Sequence, residues 1–223
     1  QAFFEKFKSY LLQQVKLTNT TLDRYIRSFK TFMNWCVERE YTENVKFKKF
    51  KTKGEKAKVI YLNREELMKL YKLDLSNNKT YEKVRDVFCF GCFTGQRFSD
   101  IQQLKREDIK EGKWHLRTQK TKDIIEIPLT TPALLILDKY RNDKKPLPTM
   151  TNQRTNLYLK EACKLAKIDD AIIKVRYRGA ERIEMNEPKH NLITTHTARK
   201  TFVTVSMDLG MTNPEIMAIT GHK

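Results

Sequence analysis

Two short constellations in this 223-residue sequence have the residue types and spacing to grip an anion. Arg97 follows Thr94-Gly95-Gln96 at a break after a strongly apolar stretch, and Asp100 stands three residues on, where a carboxylate can hold a guanidinium in place. His196 and Arg199 occupy positions i and i+3 of Thr195-His196-Thr197-Ala198-Arg199. On a helix both would project from one face near its N-terminus, where backbone N–H groups also favour negative charge. Lys120 falls at a predicted hairpin tip, and His222 follows Thr220-Gly221 at the end of the last predicted helix. Isolated residues of these kinds are more often solvated or structural than functional, so their order along the chain carries the weight.

Other chemistries fit less well. Cys89-Phe90-Gly91-Cys92 has the CxxC spacing of zinc and redox sites, but its neighbours are apolar and no second Cys/His pair has ligand spacing, so it reads as core packing. The acidic pairs Glu65-Glu66, Glu107-Asp108 and Asp169-Asp170 are adjacent in sequence, and adjacent side chains diverge on a helix or strand rather than converge on one ion. A glycine-rich phosphate loop is missing. The expectation is chemistry or binding on a polyanion with neither metal nor other cofactor.

Composition points the same way. Lys and Arg total 44 against 27 Asp and Glu, a net charge of +17, which makes nucleic acid the leading partner class and an anionic membrane surface the lesser one. At 39% hydrophobic residues the chain can bury a core. No apolar run reaches a membrane span, the N-terminal residues lack signal-peptide architecture, and four cysteines in a chain this long suit a reducing compartment.

Periodicity supplies the elements that must position the candidates. Residues 3–15 and 22–37 form two amphipathic helical stripes, one carrying Phe3, Phe4, Phe7, Tyr10, Leu11 and Val15, the other Leu22, Tyr25, Ile26, Phe29, Phe32, Met33, Cys36 and Val37. Thr20-Thr21-Leu22-Asp23 resembles a capping-box start for the second, with Arg24 and Arg27 on its wet face. Up to Ala57 there are 13 Lys and Arg against 6 Asp and Glu, concentrated in the run containing Lys48, Lys49, Lys51 and Lys53, which reads as a basic linker over 46–58. Asn63 and Glu66 cap a following helix, residues 81–93 form a helix apolar nearly all round, and Gly95 ends it. Alternation over 113–129 predicts an antiparallel hairpin, and a second extended pair, 172–177 and 182–185, turns at Arg178-Gly179 beside the charged segment 176–190. A helix starting at Thr131-Pro132 and helices over 152–167, 197–209 and 214–219 complete a mainly α chain with a small antiparallel β-sheet.

The order TGQR-x-x-D, hairpin Lys before IIEIPL, HTAR and ITGH resembles the tyrosine recombinase, or phage integrase, family, most closely the integrases of mobile elements. The resemblance spans nearly the whole chain. It implies a helical core-binding domain over 1–45, the linker over 46–58, and a mixed α+β catalytic domain over 59–223. It also implies roles. Arg97 and Arg199 would clamp the non-bridging oxygens of a scissile DNA phosphate, because a guanidinium fork stays charged through the transition state. Lys120, or neighbouring Lys122, would protonate the departing 5′ oxygen; His196 would act as acid and base; His222 would hydrogen-bond the phosphate; Asp100 would support Arg97. Thr20, Arg24, Arg27, Lys48, Lys49, Lys51, Lys53 and Lys122 are the candidate DNA contacts.

The family's nucleophile is a tyrosine beyond the position of His222, and none of the nine tyrosines here lies downstream of it. The expectation is therefore a truncated chain that binds duplex DNA as a clamp without cutting it, its parent forming a 3′-phosphotyrosyl link and assembling as a tetramer on DNA. Accessory DNA-bending proteins are further expected partners, and the bacterial cytoplasm the expected location. The competing reading is a recombinase-derived DNA-binding protein with no strand-transfer role. A third, an RNA-binding helical protein, lacks the usual sheet-borne stacking aromatics.

Overall fold

The computed structural model describes residues 2–55, 58–117 and 124–221. The chain is mainly helical with two small antiparallel sheets. It divides into two compact units, Gln1–Lys58 with Ile172–Glu187, and Val59–Ala171 with Pro188–Lys223.

The first unit contains α1 (Ala2–Gln13), α2 (Asn19–Glu38) and a short 3-10 turn at Lys46–Lys49. Its core is small: Phe4, Leu11, Leu22 and Ile26, with Phe50 stacked on Phe4 at 4.1 Å between ring centroids. The apolar stripes are therefore only partly buried, and Phe3, Tyr10, Tyr25 and Phe32 are exposed. A stripe wider than its partner surface leaves its outer rows in solvent, where Phe32, Trp35 and Tyr41 stack on one another instead. The start of α2 also differs from expectation. Thr18 is its N-cap, so Thr20 and Asp23 lie inside the helix, and Asp23 accepts a hydrogen bond from Thr52 at 2.6 Å and pairs with Arg27 at 2.6 Å. These contacts, with Phe47 buried, seat much of the basic 46–58 linker on the helices. The lysines Lys48, Lys49, Lys51 and Lys53 stay exposed, as do Arg24 and Arg27.

The hairpin β4 (Ala171–Arg178) and β5 (Glu181–Pro188) belongs largely to this first unit, a difference from the continuous second domain read from sequence. The reason is local. Asn19 grips its tip from α2 with two hydrogen bonds, Nδ2 to the Gly179 carbonyl at 2.9 Å and Oδ1 from the Gly179 N–H at 2.7 Å.

The second unit is built around one buried helix. Its first helix, α3 (Arg64–Lys72), opens with the predicted reciprocal cap of Asn63 and Glu66, and Glu66 also binds Lys189 at 2.6 Å. The central helix, α4 (Lys79–Thr94), buries Val84, Val87, Phe88, Cys89, Phe90 and Cys92, as an all-round apolar helix must. Burial pushes the Cys89 and Cys92 thiols well above their usual range, so CxxC is core packing here. A three-stranded sheet, β1 (Ile109–Lys110), β2 (Lys113–Arg117) and β3 (Ile124–Pro128), pairs Trp114 with Ile127, both fully buried. The short α5 (Phe98–Ile101) precedes the sheet, and α6 (Thr131–Lys139), α7 (Asn152–Leu165), α8 (Thr195–Asp208) and α9 (Asn213–Thr220) surround α4 or close the chain. Asp86 on α4 fastens the end of α6, accepting from Lys139 at 2.6 Å and from the Tyr140 hydroxyl at 2.7 Å.

Gly91 of α4 and Gly95 at its C-cap allow α8 to lie close. A side chain at Gly91 would meet Ala198 Cβ at 3.1 Å, and one at Gly95 would enter the Phe202 ring at 2.5 Å. Gly95 also has φ +69°, the left-handed value suited to a helix end. Gly95→Ala should lower unfolding stability by about 3 kcal/mol through combined backbone strain and overlap. Urea unfolding followed by circular dichroism checks this; a loss below about 1 kcal/mol would show that Phe202 is free to swing away.

Candidate active site

Three of the sequence candidates meet in one cleft of the second unit. Arg97, His196 and Arg199 all line a space of about 460 Å³, together with Gln96, Asn152 and Thr195. Each is placed by a helix end. Arg97 stands at the N-cap of α5, two residues after the left-handed turn at Gly95. His196 and Arg199 lie in the first turns of α8, which begins at Thr195, two residues earlier than the sequence suggested. The Thr194 side chain and the N–H of Thr194 are both engaged by Thr197, fixing that start.

Arg199 is buried, with 4% of its surface exposed. Its guanidinium donates to the Gly95 carbonyl at 2.9 Å and to the Thr220 carbonyl at 2.5 Å, the terminal carbonyls of α4 and α9. Helix C-termini carry partial negative charge, so both partners suit a cation. Burial, reinforced by the Arg97 charge and opposed by Asp100, lowers the Arg199 pKa to about 10, which still leaves it charged at neutral pH. Arg97 is half-buried. Its Nη1 lies 3.9 Å from Asp100 Oδ2 and donates to none of the described residues, so the predicted Arg97–Asp100 pairing exists at long range. Asp100 itself is fully buried.

His196 faces solvent at the cleft rim. Partial burial and the neighbouring charges of Lys200, Arg199 and Arg97 push its pKa below the usual 6.5. At pH 7 the imidazole is therefore neutral, able to accept a proton, beside two fixed cations. The site can hold a multiply charged oxyanion and exchange a proton next to it.

Residues that sequence reasoning missed complete the frame. Gln96 is 1% exposed, and its Nε2 donates to the Thr94 carbonyl at 2.9 Å and to the Ile219 carbonyl at 2.7 Å, tying the same two helix ends that Arg199 ties. Its place inside TGQR was the available signal. Asn152 and Asn156 on α7 bind Thr195 at the start of α8. Lys120, Lys122 and His222 lie outside the described residues. Among the described residues no cluster of His, Cys, Asp or Glu is arranged to hold a metal ion, and no helix is long and apolar enough to cross a membrane.

The sequence signature described as the phage integrase family matches residues 60–223. No curated protein matches the sequence. Among solved structures, a lambda integrase fragment, as a dimer bound to a COC′ core site, superposes with a TM-score of 0.72 at 16% identity, over 99% of this chain and 77% of that one. A lambda integrase tetramer bound to a Holliday junction gives 0.71 at 16% identity, over 99% of this chain and 63% of that one. The Tn1549 transposon integrase in complex with circular intermediate DNA gives 0.66 at 17% identity, over 99% and 77%. The chain thus spans less than two thirds of the longer lambda integrase chain.

His196 yields a signed prediction. Between its lowered folded pKa and 6.5, the unfolded chain holds a proton that the folded chain lacks, so acidification through that window favours unfolding. Imidazole NMR resonances of the free protein should titrate below pH 6.5 for His196, and His196→Gln should remove part of the loss of thermal stability between pH 7 and 5. Adding inorganic phosphate should move the midpoint upward, because an anion favours the protonated ring. A midpoint at or above 6.5 in the free protein would contradict the electrostatic picture.

Proposed function

Because the chain belongs to the phage integrase family of tyrosine recombinases, we propose that it supplies the DNA-gripping and phosphate-activating part of a site-specific recombinase. The reaction cuts and rejoins duplex DNA through a 3′-phosphotyrosyl intermediate. The observation that carries this reading is the convergence of Arg97, His196 and Arg199 on one cleft, each held by a helix end.

The chemistry follows from that arrangement. A tyrosine hydroxyl attacks the phosphorus, the P–O5′ bond breaks, and charge accumulates on the non-bridging oxygens. Arg97 and Arg199 neutralise it with donors that are fixed before reaction, the condition under which electrostatic stabilisation is most effective. Neutral His196 takes the hydroxyl proton and returns it on religation. Lys120, with Lys122 as its neighbour, protonates the departing 5′ oxygen, and His222 hydrogen-bonds the phosphate. Because the new ester preserves the bond energy, rejoining requires no nucleotide.

No tyrosine lines the cleft among the described residues. In this reading the attacking group is the tyrosine that the family carries beyond the position of His222. Exposed Arg24, Arg27, Lys48, Lys49, Lys51 and Lys53 of the first unit, with Thr20, contact backbone phosphates. We further infer that the reaction serves integration and excision of a mobile element in the bacterial cytoplasm, with DNA-bending partners; likeness to a lambda integrase tetramer on a Holliday junction and to a transposon integrase on circular intermediate DNA supports a multi-protomer assembly on such an element's DNA.

The test uses the parent protein containing this sequence and a nicked duplex that traps the cleaved strand, without metal or ATP. A covalent protein–DNA adduct should form and should fall at least about 100-fold in Arg199→Ala, while equilibrium binding changes by about tenfold or less. Tight, salt-dependent binding with no adduct on any candidate core would favour the non-catalytic binding protein.

A further inference from the structure

The amide network at the start of α8 determines which atom of Asn152 is available to a ligand. The backbone N–H of Thr195 meets Asn156 at 2.8 Å, and a backbone donor requires an acceptor, so that atom is Asn156 Oδ1. The other end of the same amide, Nδ2, then donates to Asn152 at 3.2 Å, which must present its oxygen there. Asn152 Oδ1 also accepts the Thr195 hydroxyl at 2.8 Å. The orientation of both amides is thus fixed by a chain of donors that starts at one peptide N–H. Asn152 Oδ1 is fully used by the protein, whereas its Nδ2 makes no hydrogen bond to a described residue. Asn152 is exposed and lines the same cleft as Arg97, His196 and Arg199.

We propose that Asn152 is a further substrate-binding residue, its Nδ2 donating to a phosphate oxygen of the DNA strand seated in the cleft, with Asn156 positioning it. The inference rests on the proposed function, since it needs DNA in that cleft. A neutral donor with a fixed direction adds what two guanidinium groups lack: it discriminates where an oxygen lies without adding charge that attracts any anion from any side.

Aspartate separates donor from structural work. Asn152→Asp keeps Oδ1 to accept from Thr195 and Asn156 but replaces the donor with a second, negatively charged oxygen. Asn152→Ala removes both. Binding of the chain to a random-sequence 30-bp duplex at low salt, alongside thermal midpoints, reads the difference, with exposed Asn142→Asp as the control for net charge. Asn152→Asp should keep the wild-type midpoint within about 2 °C and weaken binding about tenfold, more than Asn142→Asp and more than Asn152→Ala. Binding by Asn152→Asp equal to that of Asn142→Asp overturns the inference, as does tighter binding by Asn152→Asp than by Asn152→Ala. Arg97→Ala reports whether the duplex occupies the cleft. If it weakens binding and Asn152→Asp does not, only this inference fails; if wild type and Arg97→Ala bind alike, the proposed function itself fails.

Discussion

The site depends on one buried cation solvated by two helix ends. A guanidinium removed from water is costly unless its donors find acceptors, and Arg199 finds them in the carbonyls of Gly95 and Thr220. That requirement fixes three elements at once: α4 must stop where its last carbonyl reaches Arg199, α9 must deliver its own C-terminus to the same place, and α8 must approach α4 closely. The close approach is granted by Gly91, where a methyl group would be tightly crowded, and by Gly95, where it would collide with Phe202. Gln96 repeats the tie with a neutral amide, spanning Thr94 and Ile219. Arg97 follows immediately, so its backbone inherits the rigidity of a junction already fastened twice.

Electrostatically, the result is a resting state that favours an anion. The Arg97 charge adds to burial in lowering the Arg199 pKa, and partial burial, then the charges of Lys200, Arg199 and Arg97, keeps His196 neutral. Asp100 offsets part of the repulsion from beneath, fully buried. A phosphate entering this field relieves repulsion as well as gaining hydrogen bonds. The division of labour is by depth: the deep arginine is structural and electrostatic together, the shallow histidine is free to exchange protons with solvent.

Much of this was legible in the sequence because it was local. Periodicity located α4 and the first hairpin, the Asn63–Glu66 cap declared itself by spacing, and the Arg97, His196 and Arg199 motifs drew attention through residue type. The failures share a cause, which is partner surface that sequence periodicity does not reveal. Phe3, Tyr10 and Phe32 belong to apolar stripes but remain exposed. Thr20 looked like a cap because Asp23 followed three residues later, yet Asp23 is engaged by Thr52, 29 residues away. The hairpin around Gly179 joins the first unit through Asn19, a contact 160 residues long in sequence. Asn152, Asn156 and Gln96 were overlooked because an amide shows neither charge nor hydrophobic period, and its role is decided only by what lies opposite.

The cysteines carry a practical consequence. Cys89, Cys92 and Cys163 are sealed in the core of the second unit, with thiols that burial holds protonated, whereas Cys36 on α2 is half-buried. A thiol-directed fluorophore will therefore discriminate by accessibility alone, marking the first unit at one address. The native sequence already contains an orthogonal handle for spectroscopy, placed on the unit that carries the exposed lysine run and remote in sequence from the cleft of Arg97, His196 and Arg199.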